Sequence, residues 1–374
     1  METLRSRPYF LDSRLFAGTV LVGATLLSAL YARPVSSQEA NPNRPPWSQK
    51  SKPASNPPPI IQPDAASEPE QDRGKIKVSV NLVNVLVSVL DEHNRPAPDL
   101  PVEAFQVLDE DNPQTIAVFE KETQQPLDLA LMIDASLSAQ LSMPAQREAA
   151  SHFIQQVLRK NDRLAVYSID ENVTQLAAFS DNVAHLQDVV HRIPAGAGTS
   201  IYDGVLLGSR ALSRQGSDRR RVIILITDGG ETTSRADFDS ARKEAVRTNT
   251  LLYTVLIRTM KNESGRNTAG EHALETITDT TGGAVFYPDS SAQLDSIFDQ
   301  INRELRTQYR LAYYPNPRGP ADSYRRIEVS VSPPASAAGN SGVPDTTASP
   351  SAPSQSASSA YSVRHRKSYY TGLQ

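Results

Sequence analysis

Two kinds of hydrophobic pattern alternate along this chain and divide it into three parts. Between residues 76 and 90, apolar and polar positions alternate with a period of two, which predicts strands with one buried face. In the middle of the chain the apolar runs are continuous, as expected for strands of a parallel sheet that is covered on both sides. Four such runs occur, with the sequences LDLALMI, RLAVYSI, RVIILIT and LLYTVLI. Beyond residue 309 short β-like segments return.

Between these central runs, apolar residues recur at three- and four-residue spacing, which is typical of amphipathic helices. The predicted helices cover Pro144–Lys160, Ile201–Leu212, Asp237–Arg247, His272–Thr280 and Ser291–Arg306. Strands that alternate with helices predict an α/β fold with a doubly wound, mostly parallel sheet. We assign this domain to residues 124–308.

The three or four strands predicted before the α/β domain would be only marginally stable alone. The first β segment covers residues 74–123, and the second covers residues 309–332 and 361–370. We therefore expect the two to form one β-sandwich of about seven strands, with the α/β domain inserted between its halves. Residues 333–360, rich in Ser, Ala and Pro, are predicted to be a disordered insertion.

The N-terminal region has the pattern of an export signal. Three arginines, Arg5, Arg7 and Arg14, precede the uncharged stretch Leu15–Ala32. Residues 1–32 are therefore predicted to be either a cleaved signal peptide or a retained membrane anchor, with residues 15–32 as the tether. Either form places the rest of the chain outside the cytoplasm: in the periplasm or cell envelope, anchored to the inner membrane facing outward, or secreted. Residues 33–73 hold ten of the 27 prolines and are predicted to be a disordered linker.

The overall composition excludes several classes of site. There are 38 basic and 42 acidic residues, so the chain has no general attraction for nucleic acid, and we predict no nucleic-acid partner. There is no cysteine, which excludes disulfides, thiol catalysis and cysteine-bound metals. The six histidines are dispersed, and the common hydrolase and nucleotide-binding motifs are absent. We therefore predict that the protein is not an enzyme, and no catalytic residue is assigned.

Polar residues follow two of the central strands at the point where each strand ends. Asp134, Ser136 and Ser138 come after LDLALMI, and Asp228 comes after RVIILIT. Thr199 lies between them, in a loop with glycines that precedes a helix. Open parallel sheets bind ligands beyond the carboxyl ends of their strands. Two carboxylates and three hydroxyls form an all-oxygen set, which suits Mg²⁺, or Mn²⁺ or Ca²⁺, better than zinc or copper.

These residues resemble the metal-ion-dependent adhesion site of the von Willebrand factor type A (vWA) family. Its pattern is D-x-S-x-S followed by a distant Thr and a distant Asp. The resemblance implies that Ser136, Ser138 and Thr199 contact the ion directly and that Asp134 and Asp228 hold its waters. It further implies that the ion binds a Glu or Asp carboxylate of a protein partner.

The flanking β segments also resemble those of an exported bacterial vWA-related family. One departure lies inside the motif, where Leu137 precedes the second serine and many family members have glycine. The predicted function is metal-dependent, adhesion-type protein binding at the bacterial cell envelope.

Three alternatives stay open. The serines and threonine could only cap helices, and the Asp228 segment could only form a turn. The chain could be a metal-dependent hydrolase. It could also be a structural envelope protein with an inactive metal site.

Overall fold

The computed structural model describes residues 82–121, 124–257, 268–332 and 361–372. The predicted signal or anchor, the linker and the insertion at residues 333–360 lie outside these ranges, and so do residues 76–81 of the first predicted strand. Within the described ranges, no helix is both long enough and apolar enough to cross a membrane. The segment limits assigned from the sequence stay predictions.

Fourteen strands and six α-helices make up the described part of the chain. The strands are β1 (Val83–Leu90), β2 (Phe105–Asp109), β3 (Asn112–Gln114), β4 (Ile116–Glu120), β5 (Leu127–Asp134), β6 (Arg163–Ile169), β7 (Val173–Ser180), β8 (Arg220–Thr227), β9 (Thr250–Leu256), β10 (Val285–Phe286), β11 (Tyr309–Tyr313), β12 (Tyr324–Val331), β13 (Ser362–His365) and β14 (Ser368–Tyr370). The helices are α1 (Met143–Val157), α2 (Val183–His191), α3 (Ile201–Ser213), α4 (Phe238–Arg247), α5 (Thr268–Thr281) and α6 (Leu294–Arg306).

The central sheet has six strands in the order β10-β9-β8-β5-β6-β7. All neighbours are parallel except β7, which pairs antiparallel with β6. The chain runs from β5 to β6 and β7, and then returns to β8 on the other side of β5. The strand order therefore reverses between β5 and β8, and the carboxyl ends of these two strands lie side by side. Ligands of open α/β sheets bind at such a point.

Helices cover both faces of this sheet. Side chains of β5 alternate between the two layers: Leu129, Leu131 and Ile133 pack with α1, α2 and α6, whereas Ala130 and Met132 pack with α3, α4 and α5. Every residue of β5 is buried, which explains its continuous apolar run. The predicted α/β fold class is confirmed.

The flanking strands form two four-stranded sheets, with the orders β13-β1-β11-β4 and β14-β12-β2-β3. Each sheet combines strands from before and after the α/β domain; β1, for example, pairs with β11 and β13. Apolar side chains from both sheets share one core, in which Val85, Val107, Leu311 and Val329 are buried. The predicted sandwich built from both ends of the chain is confirmed.

The last predicted strand, YSVRHRKSYY, is divided in the structure. β13 joins one sheet and β14 joins the other, and the chain crosses between them at Arg366 and Lys367. This crossing contacts the α/β domain, because the Lys367 amide donates to the Thr280 carbonyl at 2.9 Å. Gly282 has a positive φ of 87°, and a Cβ there would lie 2.3 Å from the carbonyl carbon of His365. This close approach of two backbones requires glycine.

Candidate metal centre

The carboxylate of Asp134 lies at the end of β5 and is fully buried. The hydroxyl of Thr227, the last residue of β8, donates to Asp134 Oδ2 at 2.6 Å, and the Ser136 amide donates to Oδ1 at 2.9 Å. Burial raises the pKa of Asp134; these hydrogen bonds lower it, and the negative charge of Asp228 raises it further. In the described part of the chain, no Lys or Arg forms an ion pair with either acid. Two neighbouring carboxylates therefore share this edge without a positive counter-charge.

The two serines after β5 bring their hydroxyls together. Ser136 Oγ and Ser138 Oγ are 3.1 Å apart. Ser136 is buried and Ser138 is exposed, so the pair leads from the interior to the surface. Two oxygens at adjacent corners of an octahedron around Mg²⁺, with bonds of about 2.1 Å, lie about 3.0 Å apart. The spacing of the hydroxyls therefore fits two neighbouring ligands of one small ion.

The residue between the serines, Leu137, begins a short 3-10 helix that ends at Ala139. Its side chain is 67% exposed. Its φ is not positive, so the backbone does not need glycine here. The departure from the family pattern at Leu137 is therefore accommodated without strain.

Thr199 is buried and is held by the segment that follows Asp228. Its amide donates to Thr232 Oγ1 at 2.9 Å. Its carbonyl accepts from the amides of Thr232 and Thr233 at 2.9 and 3.1 Å. The threonine loop and the loop after β8 therefore form one hydrogen-bonded unit.

A second set of contacts ties the threonine loop to the strands beside it. The Gly196 amide donates to the Ala135 carbonyl, immediately after β5, at 2.8 Å. A Cβ at Gly196 would lie 2.2 Å from the Cβ of Asp170, so glycine is required for this approach. The Ser200 hydroxyl donates to the Asp170 carbonyl at 2.9 Å. Ser200 therefore anchors the loop and does not cap α3 with its side chain.

Asp228 is partly exposed at the end of β8. Its Oδ1 accepts from the Gly230 amide at 2.9 Å. Gly229 has a φ of 83°, and its amide donates to Thr227 Oγ1 at 3.1 Å. The Thr227 hydroxyl thus accepts from the backbone beside Asp228 and donates to Asp134, which fixes the two acids relative to each other.

Two further acids hydrogen-bond the loops around the site to each other. Glu231 Oε2 accepts from the amides of Ile201 and Tyr202, at the start of α3, at 2.8 and 3.2 Å. In return, the Asp203 carboxylate accepts from the Ala236 amide at 2.9 Å and from the Arg235 amide at 3.1 Å. Carboxylates near a helix N-terminus satisfy its free amides and interact favourably with its dipole. The start of α3, just after Thr199, is thereby fixed to the loop that carries Asp228.

The sequence did not identify Thr227 or Glu231 as part of this arrangement. Thr227 appears only as the end of an apolar run, and Glu231 caps a helix that begins 30 residues earlier. A local capping motif contains its acid within one turn of the helix, so no local pattern could reveal this contact.

The structure places the five predicted site residues as follows. Asp134, Ser136 and Ser138 contact one another, Asp228 is close enough to act on Asp134, and Thr199 is bonded to the loop after Asp228. The described residues contain no group of three or more His, Cys, Asp or Glu side chains that could hold a metal. A metal here would therefore need hydroxyl ligands in addition to the two acids.

Comparison with known protein families decides the identity of the central domain. Residues 128–300 match the family model described as von Willebrand factor type A domain. These residues are a vWA domain. The match covers slightly less than half of the chain and coincides with the six-stranded sheet and its helices. vWA domains are usually interaction modules and commonly bind protein partners, and they are not usually enzymes.

Solved structures similar to this chain include vWA proteins from several sources. A vWA protein from Catenulispora acidiphila is 14% identical, covering 69% of this chain and 72% of its own, with a TM-score of 0.44. BatB from Bacteroides thetaiotaomicron is 14% identical, with a TM-score of 0.39. The match covers 48% of this chain and 100% of the BatB chain. Proximal thread matrix protein 1 from mussel byssus, with a zinc-occupied MIDAS motif, is 15% identical, with a TM-score of 0.42. The match covers 53% of this chain and 49% of the mussel chain. No curated protein sequence matches the chain.

Proposed function

We propose that the vWA domain binds a divalent cation at the carboxyl edge of its sheet and uses the ion to bind an acidic group of a protein partner. The ion is Mg²⁺, or Mn²⁺ or Ca²⁺, because all the available ligands are oxygens. The observation that carries this proposal is the pair of acids, Asp134 and Asp228, which lack a basic partner in the described chain although Asp134 is fully buried. A buried charge without compensation is costly, and a bound cation would remove this cost.

In this proposal Ser136, Ser138 and Thr199 are the direct ligands. Asp134 is suited to hold water, because each of its oxygens already accepts a hydrogen bond from the protein. Asp228 has the same role on the exposed side. An ion whose direct protein ligands are neutral hydroxyls keeps most of its positive charge, so it favours an anionic ligand from outside, such as a Glu or Asp carboxylate.

Titration calorimetry with Mg²⁺ and Mn²⁺ tests the ion-binding part. Ser138→Ala is the first variant, because Ser138 is exposed and its loss should not disturb the core. We expect binding by the wild-type chain and a loss of at least about tenfold in affinity in the variant. Ser213→Ala, at the far end of α3, is the matched control and should bind normally. Equal affinity in both variants would reject Ser138 as a ligand.

The partner and its location form the second part of the proposal. Residues 15–32 favour export, so we propose that the partner is a protein of the cell envelope that presents an acidic side chain. Crosslinking in intact cells, with and without EDTA, tests this. The proposal predicts a crosslinked product that disappears both with EDTA and in Ser138→Ala. A product that persists under both conditions would show that partner binding does not use the ion.

A further inference from the structure

A small cavity lies at the edge of the vWA sheet opposite the candidate metal centre. Its volume is about 240 Å³. Its walls come from the start of β8, the turn between α4 and β9, and the C-terminal β strands. Arg221 lies six residues before the end of β8, which places the cavity about 20 Å from the metal centre. The two sites are therefore separate.

Two arginines that line this cavity hydrogen-bond to adjacent residues of one turn. Arg221 donates from Nη1 to the Thr248 carbonyl at 2.6 Å and from Nη2 to the Gly216 carbonyl at 2.8 Å. Arg366 donates from Nη1 to Asn249 Oδ1 at 3.1 Å. Since Thr248 and Asn249 are adjacent in the chain, both side chains are anchored to the same turn. One belongs to the vWA domain and the other to the crossing between β13 and β14.

The cavity has an excess of positive charge. Three arginines line it, and none of the described lining residues is Asp or Glu. Arg247 is already paired with Glu244 at 2.6 Å. Arg221 makes its hydrogen bonds only to backbone carbonyls, and its buried Nε has no acceptor in the described part of the chain. Carbonyls at the C-terminus of α4 and the charge of Asp128, which lies outside the cavity lining, offset part of the charge on Arg221, but no acid lines the cavity itself.

Burial adds to the cost of these charges. Arg366 is 7% exposed, and burial lowers its pKa to about 10. Burial also lowers the pKa of Arg221. In both cases the environment disfavours the charged form, which an anion in the cavity would favour. The ring of Tyr369 lies 5.7 Å from the Arg366 guanidinium and limits its orientation.

We propose that this cavity is a binding site for a small phosphate-class oxyanion, held jointly by Arg221 and Arg366. Guanidinium groups bind phosphate oxygens through paired, charge-assisted hydrogen bonds, and each has five N–H donors. The volume is below the range of about 300–1,000 Å³ that is typical of sites for larger ligands, so the ligand is inorganic phosphate or a small monophosphate ester. Because the arginines come from two parts of the fold, the anion would also join the vWA domain to the C-terminal strands.

Calorimetry on the full chain in EDTA tests this proposal independently of the metal centre. We expect the wild-type chain to bind inorganic phosphate with a Kd of about 1 mM or tighter at constant ionic strength. Arg221→Lys and Arg366→Lys keep the charge but remove the guanidinium fork, and each should weaken binding by about tenfold or more. Arg242→Lys, on the surface of α4, is the matched control and should bind as the wild type does.

Measurements on the wild type keep the test valid if a variant fails to fold. Phosphate should raise the melting temperature of the wild-type chain, whereas chloride at the same ionic strength should not. Tighter binding of glycerol phosphate than of inorganic phosphate would support the site and identify an ester as its ligand. No phosphate binding by the wild type, tighter binding of malonate, or equal phosphate affinity in a folded Arg221→Lys variant would each overturn the proposal.

Discussion

Two buried aspartates in this protein have opposite surroundings. Asp109 in the sandwich and Asp134 in the vWA domain are both fully buried. Asp109 accepts from Arg325 Nε at 2.8 Å and from the hydroxyls of Tyr313 and Tyr369 at 3.0 and 2.8 Å. Asp134 accepts from the Thr227 hydroxyl and from Ser136, no Lys or Arg of the described chain pairs with it, and a second acid lies nearby.

The difference shows that burial alone does not mark a functional carboxylate. Asp109 has its counter-charge inside the fold, so it stabilises the structure and needs nothing from solvent. Asp134 lacks one, so its site has excess negative charge that a cation from solvent can neutralise. Substitution of these two acids should therefore have different consequences.

The largest effect is expected from Asp109→Ala. Removing the acid leaves Arg325 buried without its partner, and we expect the free energy of unfolding to fall by about 3–5 kcal/mol. Urea denaturation measures this loss. Asp188→Ala, which removes an exposed acid paired with Arg192 on α2, should cost about 1 kcal/mol or less. Similar losses in the two variants would contradict the structural role of Asp109.

For Asp134→Asn we expect the variant to lose the stabilisation that Mg²⁺ gives to the wild type. Mg²⁺ at about 100 times its Kd should stabilise the wild type by about 2.7 kcal/mol, and the variant should gain nothing. Urea denaturation with and without Mg²⁺ measures the difference.

Asp128→Asn is the matched control for this variant, because Asp128 is buried at the other end of β5 and is paired with Arg163 and Arg219. It should lose stability but keep the gain from Mg²⁺. A gain retained in Asp134→Asn would refute its role at the metal centre.

His365 extends the comparison to a buried base. Its Nε2 accepts from the Val329 amide at 3.1 Å, and its Nδ1 lies 2.8 Å from the Arg366 carbonyl, which fits a neutral ring protonated at Nδ1. Burial lowers its pKa from 6.5 to about 4. The unfolded chain therefore takes up this proton first, and stability is lost as the pH falls from 6.5 towards 4.

At about pH 5 the loss due to His365 should be about 2 kcal/mol. Urea denaturation at neutral and acidic pH measures it, with His365→Gln as the comparison. The variant should lose less stability on acidification than the wild type does. The same loss in both proteins would contradict the assignment to His365.

A smaller effect is expected from Glu231→Gln. Glu231 contacts the start of α3 and contributes no direct ligand in the proposed site, so its loss should weaken Mn²⁺ binding by about tenfold, without abolishing it. Calorimetry measures this change. Glu148→Gln, an exposed position on α1, should leave the affinity unchanged. An unchanged affinity in Glu231→Gln would show that the contact of Glu231 with the start of α3 does not position the metal ligands.

The continuous apolar runs made most of the fold predictable. β5 is buried along its whole length and β8 is buried except at Arg221, so their limits and their common carboxyl edge follow from composition and parallel pairing. This placed Asp134 and Asp228 at one edge. β7 was not predicted, because it is an edge strand in which only Ala177 is buried. The nine-residue helix α2 was not predicted either.

The rest depends on contacts between distant parts of the chain. The division of the last strand follows from the crossing at Arg366 and Lys367, where the backbone meets Thr280. The cap that Glu231 provides for α3 spans 30 residues. Neither contact leaves a periodic or local pattern in the sequence, so only the folded chain reveals them.

Diffraction from crystals grown with Mn²⁺ tests the central claim most directly, because the anomalous signal locates the ion. The account predicts one ion in the vWA domain, about 2.1 Å from Ser136 Oγ and Ser138 Oγ and at a similar distance from Thr199 Oγ1. Asp134 and Asp228 should contact it through water. An ion bound elsewhere, or none at this edge under saturating Mn²⁺, would contradict the account.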